Sequence, residues 1–369
     1  MAGPDSDYAA RLDGFERELV SYLRTFEAIH ENLLLGQVRE SQAQLVQAAG
    51  DMFRRFERDF APLEPPDVIK DFHAKFVDAM AEISKSYGLF LSAPDSQWTL
   101  AFLYSRRALC RGLYILYDLR AQLPRLDAHW TLPGFTPPER AADGGDDHSP
   151  VGFIHKEPTD GRSGYTLYVP ENYAPSRKWP LIVCLHGGYG QGFEYIFTWL
   201  RPARSKGYIV LAPKSLDVTW TMTFPSPDTD SILAMLDEVT GTYEIDRSRM
   251  YLSGLSDGGI FTYMLGLEHH ELFTGIAPVA GAVHPMLYPI LSQGRGKDIP
   301  MLVVHGARDF IFPVQITRQT VEMLTDLGCN LKYVELAEWG HAFPYSINER
   351  LVLPWFESLP PKTGTQSTG

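Results

Sequence analysis

Between positions 5 and 125 apolar residues return every third or fourth place, and strand-like alternation is nearly missing. Tyr8, Leu12, Phe15, Leu19, Leu23, Phe26, Ile29 and Leu33 form one such stripe. That spacing predicts a long amphipathic helix with one buried face. Gly36 marks a break, and a second stripe follows through Leu45, Ala49, Met52, Phe56 and Phe60. It runs into Leu63-Glu64-Pro65-Pro66, where proline lacks the donor a helix needs. A third stripe passes through Ile69, Phe72, Phe76, Ile83 and Tyr87. Ala93-Pro94-Asp95-Ser96 separates it from a fourth through Leu100, Leu103, Leu113, Leu116 and Tyr117. Four helices with short connections predict an all-α, up-down bundle over residues 1–131.

From Val151 the period changes. Short β-rich runs, Tyr165–Val169, Leu181–Leu185, Tyr208–Ala212, Met250–Ser253, Gly275–Val279, Met301–Val304 and Leu331–Glu335, alternate with helical segments. Several are continuous apolar runs, as strands covered on both faces require. The repetition predicts an α/β domain over residues 151–360, with a mostly parallel, doubly wound sheet. Between the two regions, residues 132–150 hold Pro133, Pro137, Pro138, Gly144 and Gly145 and read as a linker. Asp146, Asp147 and His148 within it are metal-ligand types, but no regular element would orient them, so they read as solvated. Residues 361–369 read as a disordered tail.

The 369 residues carry a formal charge of −12, with 44% hydrophobic and 12% aromatic residues. Two well-buried cores are within reach. The acidic balance makes a nucleic-acid partner unfavourable. Cys110, Cys184 and Cys329 are odd in number and scattered, which argues against a disulfide framework or a zinc site. No apolar stretch reaches the ~18 residues of a membrane span, and Met1 to Tyr22 lacks a secretory h-region. The expectation is a soluble, cytoplasmic protein.

The strongest chemical signal is Met250-Tyr251-Leu252-Ser253-Gly254-Leu255-Ser256-Asp257-Gly258-Gly259: a strand, a G-x-S-x-G turn, and a helix starting near Gly258. Such a turn lifts the Ser256 hydroxyl out of the sheet edge. Side chains at Gly254 and Gly258 would collide with the neighbouring strand and helix. Acyl transfer also needs two backbone N–H groups aimed where negative charge develops. Asp257 supplies one. The other falls to the loop after the buried strand Leu181–Leu185, in His186-Gly187-Gly188, with Gly188 the first choice and Gly187 the second. His186 reads as a brace for that loop rather than the base.

Two later segments complete the set. Met301–Val304 runs into His305-Gly306-Ala307-Arg308-Asp309, where Asp309 can orient an imidazole. Its competing role is a cap for the helix near Pro313 or Val314. His341, in Glu338-Trp339-Gly340-His341, follows the strand Leu331–Glu335 on a glycine-containing loop. The candidate triad is Ser256, Asp309 and His341, in the chain order of α/β-hydrolases. His269, His270 and His284 have blander readings as a helix end or a polar loop. Trp220, Phe224 and Tyr189 are candidate substrate contacts, with core packing as the alternative for Trp220 and Phe224.

On these motifs, from about Tyr165 to Phe356, the sequence resembles the phospholipase/carboxylesterase and dienelactone-hydrolase-like branch of the α/β-hydrolases. That branch includes feruloyl-esterase-like and polyhydroxyalkanoate-depolymerase-like enzymes. The resemblance implies ester hydrolysis through an acyl-enzyme, without metal or organic cofactor. Two features depart from it. Asp257 stands where the branch often has a neutral residue, which disfavours anionic esters. The helical region before Leu132 is not part of the family core; it could cap the cleft, form a homodimer surface or brace the hydrolase domain, and bracing or dimerisation ranks above a cap. The expected activity is that of a serine carboxylesterase on small to medium acyl or aryl esters. The alternatives are a polyester- or feruloyl-type esterase, a prolyl-oligopeptidase-like serine peptidase, and a binding protein with a degenerate hydrolase fold.

Overall fold

The computed structural model describes residues 4–362 apart from 33, 35, 93–97, 137–148 and 158–162. Leu33, the expected break at 93–96, the Asp146–His148 cluster, most of the expected linker and the tail from residue 363 lie outside the described residues. The chain divides into two compact units, Met1–Pro133 and Gly134–Gly369.

The first unit is helical. Its helices are α1 (Pro4–Glu31), α2 (Val38–Ala49), α3 (Met52–Arg55, continued by a π-helical turn over Phe56–Phe60), α4 (Lys70–Leu91), α5 (Trp98–Asp118) and α6 (Pro124–His129). The four stripes read from the sequence lie on α1, on α2 with α3, on α4 and on α5. The second is two helices rather than one, because Gly50 adopts a left-handed φ of 51° and breaks the ladder. Aromatic edges fill the core: Phe15 meets Phe56 edge-on at 5.3 Å between centroids, and Phe56 meets Phe76 at 5.6 Å. Gly112 of α5 lies so close to α4 that a Cβ there would stand 2.8 Å from Ile83 Cγ1 and 2.9 Å from the Ala79 carbonyl. The short α6 carried no stripe. It is held by tertiary contact, its first-turn amides of Arg125 and Leu126 donating to Glu16 Oε1 at 2.7 and 2.9 Å.

The second unit is built on one eight-stranded sheet. Its strands are β1 (Gly152–Lys156), β2 (Tyr165–Val169), β3 (Trp179–Leu185), β4 (Ile209–Pro213), β5 (Ile245–Leu255), β6 (Gly275–Val279), β7 (Met301–Gly306) and β8 (Leu331–Leu336). They are ordered β1-β2-β4-β3-β5-β6-β7-β8, antiparallel at the β1–β2 and β2–β4 pairs and parallel elsewhere. This is the α/β-hydrolase fold that the motifs predicted. The helices are α7 (Gly192–Tyr195), α8 (Phe197–Lys206), α9 (Pro227–Thr242), α10 (Asp257–Glu268), α11 (Tyr288–Ser292), α12 (Val314–Asp326), α13 (Tyr345–Ile347) and α14 (Leu353–Ser358).

β3 is buried along its whole length, and α10 is apolar around most of its circumference because it packs against β3, β5 and β6. Two strand features escaped the sequence reading. β1 is an edge strand that passes from buried to exposed and has no sustained apolar run. β5 starts at Ile245, five residues before Met250, because its polar first half pairs with β3 only at Ile245 before the register resumes at Met250. Among the described residues no helix is long and apolar enough to cross a membrane.

Candidate active site

Strand register alone brings the candidate residues to one edge. β5 ends at Leu255, which pairs with Val279 at the end of β6, and Val279 pairs with Val304 of β7. β7 in turn runs beside β8 as far as Gly306 and Leu336. Ser256, Asp309 and His341 therefore all leave the same, C-terminal edge of the parallel sheet, where open α/β sheets hold their ligands.

Ser256 sits between β5 and α10 with φ 59° and ψ −122°, a conformation costly for a side-chain-bearing residue. Its amide is held by the Val279 carbonyl at 3.0 Å, and its own carbonyl accepts from Ile260 as α10 begins. The flanking glycines are sterically required. A Cβ at Gly254 would lie 2.5 Å from Gly258 C and 2.7 Å from Thr262 Oγ1. One at Gly258 would overlap the Leu185 carbonyl and stand 2.5 Å from that of His186. The turn is thus wedged between β3 and α10. α10 begins at Asp257, so its first amides lack intrahelical acceptors and face the serine's surroundings.

Asp309 and His341 are joined. His341 Nδ1 lies 2.7 Å from Asp309 Oδ2, with the imidazole side chain 9% exposed and the carboxylate fully buried. A carboxylate only accepts, so Nδ1 carries the proton and Nε2 is left bare to accept another. Asp309 Oδ1 accepts from the amides of Ile311 and Phe312, each at 2.8 Å. Burial pushes the carboxyl pKa up. The hydrogen bond and charge of His341 and the two amides outweigh it, and hold the group below the ordinary aspartate value. Asp309 bonds His341 and the turn at Ile311 and Phe312; it does not cap α12, whose first turn has no side-chain cap. Phe310 and Phe312 flank the imidazole at 6.3 and 5.7 Å between centroids. Among the described residues no hydrogen bond joins Ser256 to His341, a contact that often forms only when substrate closes the site.

The loop after β3 stands over the serine. A Cβ on Gly187 would come within 3.2 Å of Ser256 Cβ, and one on Gly188 within 2.5 Å of Asp257 Oδ2. Both glycines therefore let the backbone approach Ser256 and Asp257. His186 is buried and braces this loop. It accepts the Ser215 amide at Nε2 (3.1 Å), so the remaining proton is on Nδ1, which donates to the Gly187 carbonyl at 2.8 Å.

Trp220 is 2% exposed, stacked on Phe261 and donating from its indole to the His186 carbonyl at 2.7 Å. Of its two sequence readings the structure favours core packing over a substrate wall: it lies under the loop after β3, where its indole N–H finds a buried acceptor. Phe224 is half-buried against the same core. Tyr189 is exposed, with a left-handed φ of 59°.

Three contributors were missed. Thr219 donates its hydroxyl to Asp257 Oδ2 at 2.6 Å. Asp228, buried at the start of α9, accepts the amides of Leu216 and Thr221, each at 2.8 Å, and fixes the loop that carries Thr219. His305 stands 3.5 Å from Asp309 Oδ2 and donates from Nε2 to the Phe312 carbonyl at 2.8 Å. Only His305 carried a sequence signal, as a histidine ending a buried strand.

The chain is similar to known esterases. The family model described as phospholipase/carboxylesterase matches residues 228–350. The bifunctional acetylxylan esterase/xylanase XynS20E of Neocallimastix patriciarum is 31% identical over 156 residues, 40% of this chain and 22% of that protein. Feruloyl esterase C of Emericella nidulans is 28% identical over 158 residues, 41% of this chain and 56% of the relative. A solved thermostable esterase shares 26% identity at a TM-score of 0.48, covering 56% of this chain and 63% of its own. The chain spans less than two thirds of the length of each. The resemblance to the esterase branch of the α/β-hydrolases, read from the motifs, is borne out over this region.

Proposed function

We propose that this α/β-hydrolase chain is a serine carboxylesterase, which hydrolyses small to medium acyl or aryl esters through an acyl-enzyme on Ser256. The observation that carries the reading is the 2.7 Å bond from His341 Nδ1 to buried Asp309, at the sheet edge where Ser256 is held in a strained turn. In this reading Ser256 Oγ attacks the ester carbonyl carbon and His341 Nε2 takes the hydroxyl proton. The negative charge that builds on the carbonyl oxygen is met by the N–H groups of Asp257 and Gly188, or Gly187 in place of Gly188. Collapse breaks the bond to the alcohol, which leaves with the proton from His341. Water then attacks the acyl-enzyme by the same route, with His341 as base, and the acid departs as Ser256 is restored. Asp309 keeps the imidazole in the productive tautomer and stabilises its cation.

The Asp257 side chain supports a preference against anionic esters, since a carboxylate held beside the nucleophile by Thr219 opposes a second negative charge. The test is hydrolysis of p-nitrophenyl acetate, butyrate and octanoate by wild type and Ser256→Ala, together with fluorophosphonate labelling. Label on Ser256 and loss of turnover in the variant are expected. Equal rates from the two proteins would refute the proposal, and faster cleavage of peptides than of esters would replace it with a peptidase.

A further inference from the structure

A second concave site lies at the opposite edge of the sheet. It is a pocket of about 350 Å³ at the N-terminal ends of β3 and β4 and beside the polar half of β5. Eight residues of extended chain separate Trp179 at its floor from Gly187 at the nucleophile, roughly 25 Å at ~3.3 Å per residue. It is therefore distinct from the catalytic cleft.

Its chemistry is unlike that of the rest of the molecule. On a chain of net charge −12, the lining carries Arg177, Lys178, Lys206 and Arg249 against one carboxylate, Glu357. Arg249 spends Nε on Asp246 at 2.6 Å, and Lys206 stands 3.6 Å from Glu357. Arg177 has no ion-pair partner among the described residues. Its guanidinium carbon lies over the Trp179 ring, 3.6 Å from the centroid. Arg177 is exposed at the pocket mouth; partial desolvation, and then the charge of Arg249, push its pKa down.

Two phenols complete the lining. Tyr208 and Tyr251 are almost wholly buried and their rings are 6.4 Å apart, yet among the described residues neither hydroxyl makes a hydrogen bond. Neither hydroxyl is among the buried side-chain atoms that lack a partner, so both reach the open space of the pocket. They face the same pocket as the guanidinium of Arg177 and that of Arg249, the latter paired with Asp246. Donors and positive charge converge on a space large enough for several water molecules and walled by aromatic rings.

We propose that this pocket binds a small organic oxyanion, a carboxylate or phosphate carried on an aromatic body, at a site separate from the catalytic cleft. The head group would take N–H donors from Arg177 and Arg249 and hydroxyl donors from Tyr208 and Tyr251, while the body packs on the aromatic walls. The inference does not depend on the role given to Ser256.

Isothermal titration of the full chain with phenyl phosphate, benzoate, inorganic phosphate and benzyl alcohol tests it. Expected is saturable one-to-one binding of phenyl phosphate or benzoate, with the stronger of the two identifying the head group, and no binding of benzyl alcohol. The double variant Arg177→Gln/Arg249→Gln should weaken the aromatic anion by about ten-fold or more. Tyr208→Phe, which keeps the buried ring, should weaken it by several-fold. Ser256→Ala should leave it unchanged. Circular dichroism of the variants guards against misfolding. Equal affinity of wild type and double variant, inorganic phosphate bound as tightly as phenyl phosphate, or no saturable binding of either aromatic anion would overturn the proposal.

Discussion

Ser256 Oγ can be replaced with little change in shape but with no chemical substitute, so Ser256→Ala should lower kcat/KM by about 10⁴-fold or more. Asp309→Asn keeps the size of the side chain, but its amide cannot enforce the Nδ1–H tautomer on His341. A fall in kcat of order 10³–10⁴ with KM little changed is expected from steady-state kinetics on a p-nitrophenyl ester. The Asp257 side chain offers a different test. Removing its charge in Asp257→Asn should raise the ratio of kcat/KM for an anionic hemisuccinate ester to that for a neutral ester by about five-fold, the effect of roughly 1 kcal/mol of relieved repulsion. A ratio that does not move would show that the carboxylate does not face the incoming ester.

The Gly254–Gly258 turn is a property of three elements together. Gly258 is where α10 passes closest to the end of β3, and a methyl group there meets two backbone carbonyls that cannot rotate away. Gly258→Ala should therefore cost about 3 kcal/mol or more, read as a large fall in melting temperature or loss of soluble protein. Gly241 in α9 is the control, since a Cβ there has nothing within 4 Å. Gly241→Ala should be neutral or stabilising by up to about 1 kcal/mol, because alanine is the better helix former. The same contrast separates what periodicity reports from what packing demands: both glycines sit in helices, and only one is fixed by its neighbours.

For the molecule as a whole, imidazoles buried in each unit should contribute to the acid limb of stability. Burial, and next the charge of Arg106, hold His30 of the first unit well below its ordinary pKa, with Glu27 opposing. Burial lowers His305 of the second unit as well, against the opposing effects of the Phe312 carbonyl and Asp309. Each titrates lower folded than unfolded, so the unfolded chain binds more protons once the pH drops below about 6.5. Stability should be level above that pH and decline beneath it. Melting curves from pH 8 to pH 5 should show the fall, and His305→Gln should make it shallower. A flat profile would mean that neither imidazole is neutral in the native state.

Most of the fold and the candidate site could be read along the chain because their signals are local. Helical stripes and apolar runs report burial one element at a time, and the Gly254–Gly258 spacing reports a turn so tight that only glycine satisfies it. Asp309 and His341 were found because each follows a strand that could be read by itself. The edge strand β1, the divided second helix and α6 were missed, since an exposed edge, one left-handed glycine and a cap supplied by distant Glu16 leave no periodic trace. Trp220 shows the limit most plainly: its sequence neighbours leave cleft wall and core both open, and its burial, with an indole bond to the carbonyl of His186 thirty-four positions away, decides for the core. Sequence determined which residue types arrive at the end of each strand. Tertiary structure decided which of them meet, because hydrogen bonds and charge act over a few ångströms of space and take no account of separation along the chain.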